Sequence, residues 1–325
     1  MSEFTLKYRL RRKAAQIFKY KKAPNLSADE LREKYRKTSR VIPMMDKAFS
    51  PKLEYERRFE HGCLSTFLTR KDSTTALLYI PDTQMLKFPD GADYVLFEEL
   101  ALKTGRDVII PHYPLCIECS MNEAVDMVYK VYKSLVSEYG AGNVAAAGCS
   151  SGGTLALALI SHINELGENI PMPDKLYVSS PEMCIYSQEE RERAKQLEKT
   201  DICLTVKWLD TFYDLITNGR ELPKYMTYPQ LGNYSGLKDA YICFADCEVL
   251  YAMCGELEAQ MKSAGVDVTL EAGKGMYHGY PVMNTVKDAY LGHFNMISYL
   301  ADRVTSAMFD DHTKVIFGKI VIRLS

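Results

Sequence analysis

Apolar and polar positions along this chain change rhythm several times. Near the N-terminus Leu10, Ala14, Ile17 and Phe18 recur at helical spacing among Lys7, Arg9, Arg11, Arg12 and Lys13, which predicts a short helix with a solvated basic face. A second helix is expected from Ser27, because Ser27-Ala28-Asp29-Glu30 has the form of a capping box ahead of Leu31 and Tyr35. Over 53–70, β-favouring residues flank His61-Gly62 and predict an antiparallel hairpin.

From residue 74 onward short apolar runs alternate with helical patterns. Strands are predicted over 74–80, 107–110, 143–147 and 175–179, with helices over 94–103, 123–139 and 154–164 between and after them. From 181 to about 231 the pattern turns charged and helical: 189–198 is polar all round, and 202–216 is amphipathic about Trp208. Alternation resumes with a strand over 240–245, a helix over 249–264, a strand over 266–272 and a long last helix over 282–305. This order implies an α/β class, a mostly parallel sheet with helices on both faces, whose functional residues gather at the carboxyl ends of the strands. The apolar, β-favouring stretch 313–322 has no place in that scheme and stays an unplaced tail, 313–325.

Composition narrows the classes of function. The chain has 325 residues, of which 47% are hydrophobic and 25% charged, so a large core can be buried. Forty basic residues against 42 acidic ones give a net charge of −2, and no global field favours nucleic acid or an anionic membrane. The sequence has neither a signal-type apolar core near its start nor an 18-residue apolar run, so a cytoplasmic protein without a membrane span is expected. Nine scattered cysteines, an odd number, fit free thiols better than a disulfide framework. Cys116 and Cys119 lack a second ligand pair for a zinc site and read as loop thiols.

Chemistry enters at Gly148-Cys149-Ser150-Ser151-Gly152. The segment joins a predicted strand to a predicted helix, which is the setting of a nucleophile elbow. Glycines suit a strained turn packed against its neighbours, the strain exposes the Ser150 hydroxyl, and the Ser151 N–H at the helix start would face a developing oxyanion. Cys149 is expected to point into the packing. A serine needs a base to remove its proton, and the base needs an acid to fix its tautomer. Asp246 and Glu248 follow the 240–245 strand, and either could be that acid. His278 lies in a glycine-flanked loop between the last predicted strand and helix and is the candidate base. The chain order Ser, acid, His, each after a separate strand, links the three positions.

On these residues the chain resembles the hormone-sensitive-lipase-like esterases of the α/β-hydrolase fold. The resemblance covers about 74–305 and rests on His112-Tyr113-Pro114-Leu115, Glu123 with Asp126, Gly148-Cys149-Ser150-Ser151-Gly152-Gly153, Glu248-Val249-Leu250 and Gly275-Met276-Tyr277-His278-Gly279. It implies Ser150 as nucleophile, His278 as base and Glu248 as acid, with Asp246 in reserve. It also implies a helical cap from 1–50 and 182–232 over a core of 51–181 and 233–312. No cofactor or metal is implied, the partner is a small-molecule ester, and a homodimer is compatible with the family.

One departure stands out. The resemblance implies oxyanion donors from a His-Gly-Gly-Gly type loop, yet here that loop reads Pro81-Asp82-Thr83-Gln84. Without glycine, Asp82 and Thr83 are expected to present their N–H groups poorly or not at all, yet an active esterase would still take the Ser151 N–H plus one amide near Asp82 or Thr83 as its oxyanion hole. The resulting expectation is a serine carboxylesterase for small or short-acyl esters working through an acyl-enzyme. Its alternative is a weak or inactive member of the fold that binds a small acid or ester. Trp208, Leu209, Phe212 and Tyr213, with Met44 and Met45, offer either an apolar acyl site or ordinary helix packing.

Overall fold

Among the described residues the apolar runs assemble into one eight-stranded sheet, in the spatial order 54–60, 63–69, 107–111, 76–80, 144–149, 176–179, 239–245 and 267–273. The computed structural model describes residues 4–22, 26–37, 39, 42, 49–60, 62–283 and 286–302. Met44, Met45, His61 and the tail 313–325 lie outside them. β1 (Glu54–Glu60) and β2 (Cys63–Thr69) form the expected hairpin, and β2 runs antiparallel to β4 (Asp107–Pro111). From β4 onward, through β3 (Ala76–Ile80), β5 (Val144–Cys149), β6 (Leu176–Ser179), β7 (Asp239–Ala245) and β8 (Asp267–Gly273), every pairing is parallel.

Alternation along the strands divides the core into two layers. Leu78, Ile80, Ile109 and Ala146 face one layer with α4 (Met121–Tyr139) and α5 (Ser151–Leu166). Leu77, Tyr79, Val108, Ile110, Ala145 and Ala147 face the other, with α3 (Gly91–Thr104) and α10 (Tyr290–Leu300). Each fully buried leucine or isoleucine here contributes about 1.5–3 kcal/mol, so the central strands are the stable platform for their own C-terminal ends.

Helix α1 (Leu6–Lys22) is present, and α2 (Ala28–Tyr35) starts at the Ser27–Glu30 capping box. α3 begins three residues earlier than the pattern predicts, because Asp90 Oδ1 accepts from the Ala92 N–H while the Asp90 N–H donates to Asp93 Oδ2 in a reciprocal box. Between β6 and β7 lie α6 (Gln188–Leu197), α7 (Val206–Thr217) and α8 (Lys224–Thr227). α2 packs on α7, where the buried Arg32 donates to the Asp214 and Leu215 carbonyls at 2.8 and 3.0 Å.

Two predicted helices are shorter than expected. The 249–264 segment opens as a 3₁₀ turn, Val249–Met253, before α9 (Cys254–Ser263), because the Val249 N–H is held by Asp201 and Tyr251 bonds back to the Glu248 carbonyl. The last helix starts at Tyr290 and not near 282. Residues 277–283 are instead folded into turns by bonds from Tyr280 to Tyr277 and from Val282 and Met283 to Gly279, and Pro281 has no N–H to continue a helix.

The elbow depends on glycine at two close approaches. A Cβ on Gly152 would lie 2.1 Å from the Ile80 carbonyl oxygen, and one on Gly148 would lie 2.3 Å from that of Gly152. Both obstacles are backbone and cannot swing aside. Gly152→Ala is therefore expected to lower unfolding free energy by about 3 kcal/mol, read as a fall in the urea midpoint at unchanged slope.

Candidate active site

The turn from β5 into α5 holds Ser150 at φ 53° and ψ −124°, a conformation that costs an L-residue of order 1–3 kcal/mol and persists because packing over-determines it. The Ser150 N–H donates to the Ser179 carbonyl at 3.0 Å, and its own carbonyl accepts from Thr154 and Glu182. Ser150, Glu248 and His278 are all buried. Ser150 Oγ lies 3.0 Å from His278 Nε2, and His278 Nδ1 lies 2.7 Å from Glu248 Oε2. The three predicted positions from three strand ends thus form one hydrogen-bonded line. Asp246 is not part of it: its Oδ1 accepts from the Gly275 N–H at 2.7 Å and shapes the start of the histidine loop.

The second oxygen of Glu248 is held as firmly as the first. Oε1 accepts from Ser180 Oγ at 2.7 Å and from the Ala245 N–H at 2.9 Å, while the Gly279 N–H donates to Ser180 Oγ at 3.1 Å. Ser180, itself at φ 45°, therefore ties the acid to the histidine loop. Sequence reasoning missed it, and a serine directly after a strand carries no signal of that task. The N-terminal helix braces the same loop. Tyr8 and Arg12 both donate to the Gly275 carbonyl, at 2.7 and 2.8 Å, so Arg12 leaves the solvated face assigned to it.

Burial pushes the His278 pKa down, but the hydrogen bond and charge of Glu248, joined by the charges of Glu182 and Asp82, outweigh it and raise the ring to about 9. Glu182 is a further carboxylate that sequence reasoning passed over. Its only signal is a place shortly after a strand end. Cys149 is buried as expected, and burial drives its thiol far above the usual range.

The loop after β3 departs furthest from an open donor site. The Thr83 N–H donates to Ser151 Oγ at 3.1 Å, and Ser151 Oγ donates to Asp82 Oδ1 at 2.9 Å. The Gln84 N–H is taken by Asp82 Oδ1 at 3.0 Å. The Thr83 amide is therefore engaged inside the loop, which speaks against its place in an oxyanion hole, and the Asp82 carboxylate acts there as an acceptor. Gln84 and Met85 still adopt φ of 51° and 58°, the backbone shape that glycine would take without strain. Tyr113 supports the loop, donating to the Pro81 carbonyl at 2.7 Å, whereas His112 is occupied with Thr66 away from the site. The Ser151 N–H, first in α5, has no intrahelical acceptor and is the remaining predicted donor at the elbow.

Leu209 and Phe212 are packed in the core, and Trp208 reaches the site by donating its indole N–H to Glu182 Oε1. Among the described residues no cluster of His, Cys, Asp or Glu could hold a metal ion, and none of the nine cysteines is in a disulfide.

A family model described as α/β hydrolase fold matches residues 90–282, more than half of the chain and all of the line from Ser150 to His278. The chain belongs to the α/β-hydrolase fold family. Among curated relatives this α/β-hydrolase is 26% identical over 191 residues to a protein named esterase from Acinetobacter venetianus, covering 58% of this chain and 62% of that one. It is 26% identical over 214 residues to esterase LipU of Mycobacterium tuberculosis, covering 64% and 70%. The chain thus spans less than two thirds of the Acinetobacter protein. A solved hormone-sensitive lipase from a metagenome library superposes with a TM-score of 0.74 at 20% identity over 91% of this chain and 98% of that one. An esterase of the bacterial hormone-sensitive lipase family gives 0.70 at 19% over 90% and 97%. At that identity the superpositions establish the fold of this α/β-hydrolase.

Proposed function

We propose that the protein is a serine carboxylesterase that hydrolyses small or short-acyl esters through an acyl-enzyme on Ser150. The observation that carries this reading is the continuous line Ser150–His278–Glu248, with bonds of 3.0 and 2.7 Å, beneath the N-terminus of α5. His278 takes the Ser150 proton, Ser150 attacks the ester carbonyl, and the Ser151 N–H receives the oxyanion. His278 then protonates the leaving alcohol, and water repeats the sequence with roles reversed. Segments 1–50 and 182–232 are read as a cap over this site. The reading fits a small-molecule ester as partner. No helix among the described residues is long and apolar enough to cross a membrane, and free thiols support a cytoplasmic location.

Hydrolysis of p-nitrophenyl esters from acetate to decanoate tests the reading, with an optimum expected at short acyl chains. The occupied amides of Thr83 and Gln84 favour one competing reading, a weakly active or inactive protein that binds a small acid or ester. A lost oxyanion donor costs on the order of a hundredfold to a thousandfold in turnover. Tight binding of butyrate with no turnover of any ester would decide for that competitor.

The pH profile carries a second expectation. General-base action needs a neutral ring, and with His278 raised to about 9 only a small fraction is neutral at pH 7. kcat/KM for a neutral ester should climb about tenfold per pH unit from 6 and level off near 9. The same raised value stabilises the fold below the unperturbed histidine range, and that contribution fades as pH rises through about 9.

A further inference from the structure

Glu182 has no task in the hydrolysis described above, yet it is held against the nucleophile. Its N–H donates to the Ser150 carbonyl at 3.1 Å, and its carbonyl accepts from Thr154 Oγ1 at 2.8 Å, so the residue is tied to the elbow from both sides. The residue is 1% exposed. Trp208 holds Oε1, while Oε2 is buried without a hydrogen bond of normal geometry, and the Ser150 side chain is near enough to act on this carboxyl by hydrogen bonding. A buried carboxylate oxygen left unpaired is costly, and its natural complement is a donor that arrives with the ligand. Ser150 and His278 both lie close enough to influence the titration of this carboxylate, and so does the carboxylate of Asp82. The reacting centre therefore carries two acidic groups beyond Glu248.

We infer that the site selects esters whose acyl group bears an ammonium next to the carbonyl, with Glu182 as the receiving carboxylate and Asp82 as supporting charge. This deepens the esterase reading and rests on it. An acyl carbon bonded to Ser150 Oγ places an α-substituent within reach of a carboxylate that itself abuts Ser150. A charge-assisted bond made there is among the stronger polar contacts available to a ligand. The chemistry is unaltered: the Ser150 Oγ–acyl bond forms as the acyl–O(alcohol) bond breaks, the alcohol leaves with the proton carried by His278, and water restores the serine. An ammonium at this point also offsets part of the negative field that keeps His278 protonated, so binding itself favours the basic form of the ring.

Burial and the charge of Asp82 raise Glu182 to about 7, against the Trp208 hydrogen bond, the His278 charge and the hydrogen bond of Ser150. A free α-amino group titrates at about 7.7–8.0, so the ion pair is best populated between the two values. Cys184, buried two residues on, is driven upward and stays neutral in that range.

The test compares kcat/KM, by ethanol release, for ethyl alaninate and ethyl isobutyrate, which differ only in ammonium against methyl. Near pH 7.3 alaninate should be favoured on the order of tenfold to a hundredfold. The ratio should be bell-shaped in pH, falling as Glu182 protonates on one side and the amine deprotonates on the other. Glu182→Gln should collapse the ratio toward one. A native ratio at or below one while isobutyrate is still hydrolysed would overturn the inference and leave the esterase reading standing, as would an unchanged ratio in Glu182→Gln. Hydrolysis of neither ester would sink both. Should Glu182→Gln fail to fold, the native ratio and its pH profile decide by themselves.

Discussion

Replacing Ser150 with alanine is expected to lower kcat for p-nitrophenyl butyrate by about 10⁴- to 10⁶-fold, down to the background rate, while the protein stays folded. The change deletes one oxygen, hydrogen-bonded to His278 Nε2 at 3.0 Å, and no packing surface of consequence. Alanine meets the same penalty as serine at φ 53°, so the strain of the elbow is unaltered, and the thermal midpoint should move by only a few degrees. In hydrolases with an open donor site, loss of the nucleophile leaves a residue of catalysis from the oxyanion donors. Here the Thr83 and Gln84 amides are consumed inside their own loop, so that residue should be smaller. A phosphonate reagent offers an independent readout: one adduct by mass on the native protein and none on Ser150→Ala. Equal rates from both folded proteins would end the esterase reading.

What the sequence disclosed about this site follows from which features are local. The apolar run of β5, the two glycines and the helical pattern after them are neighbours in the chain, and the strained turn they specify is a local object. His278 and Glu248 were legible because a parallel sheet sends every strand end to the same edge, so a polar residue just past a strand is already placed near the elbow. Ser180, Glu182 and Arg12 were not. Ser180 matters through its bond to Glu248, Glu182 through Trp208 and Ser150, and Arg12 through the Gly275 carbonyl, and each contact joins segments whose approach no periodicity encodes. The loop after β3 shows the limit most plainly. Its missing glycines signalled trouble for the donors, but the exchange in which Thr83 serves Ser151 and Ser151 serves Asp82 needs the folded geometry. The overlong last helix had another cause: 282–289 keeps a helical composition, yet the turns that present His278 claim its first residues.

The choice between the two acids supplies the second large effect. Glu248→Gln should reduce kcat by about 10⁴-fold, whereas Asp246→Asn should change it less than about threefold. The asymmetry follows from donors already committed around Glu248. Ser180 Oγ and the Ala245 N–H both donate to Oε1, so a glutamine must place its carbonyl oxygen there and turn its NH₂ toward His278. The ring must then accept at Nδ1 and carry its hydrogen on Nε2, facing Ser150, in the tautomer that cannot take the serine proton. With the main charge that raises the ring removed, burial dominates, and the acid limb of the residual activity should fall from about 9 to below the unperturbed histidine range. An asparagine at 246 keeps a carbonyl oxygen for the Gly275 N–H and leaves the line from Ser150 to Glu248 untouched. Parallel pH profiles of the two variants measure both effects at once, and a large loss in Asp246→Asn with a mild one in Glu248→Gln would reverse the assignment. The limb also separates two causes of a low rate: a defect in base strength moves it, whereas a defect in oxyanion donation lowers the plateau and leaves the limb in place.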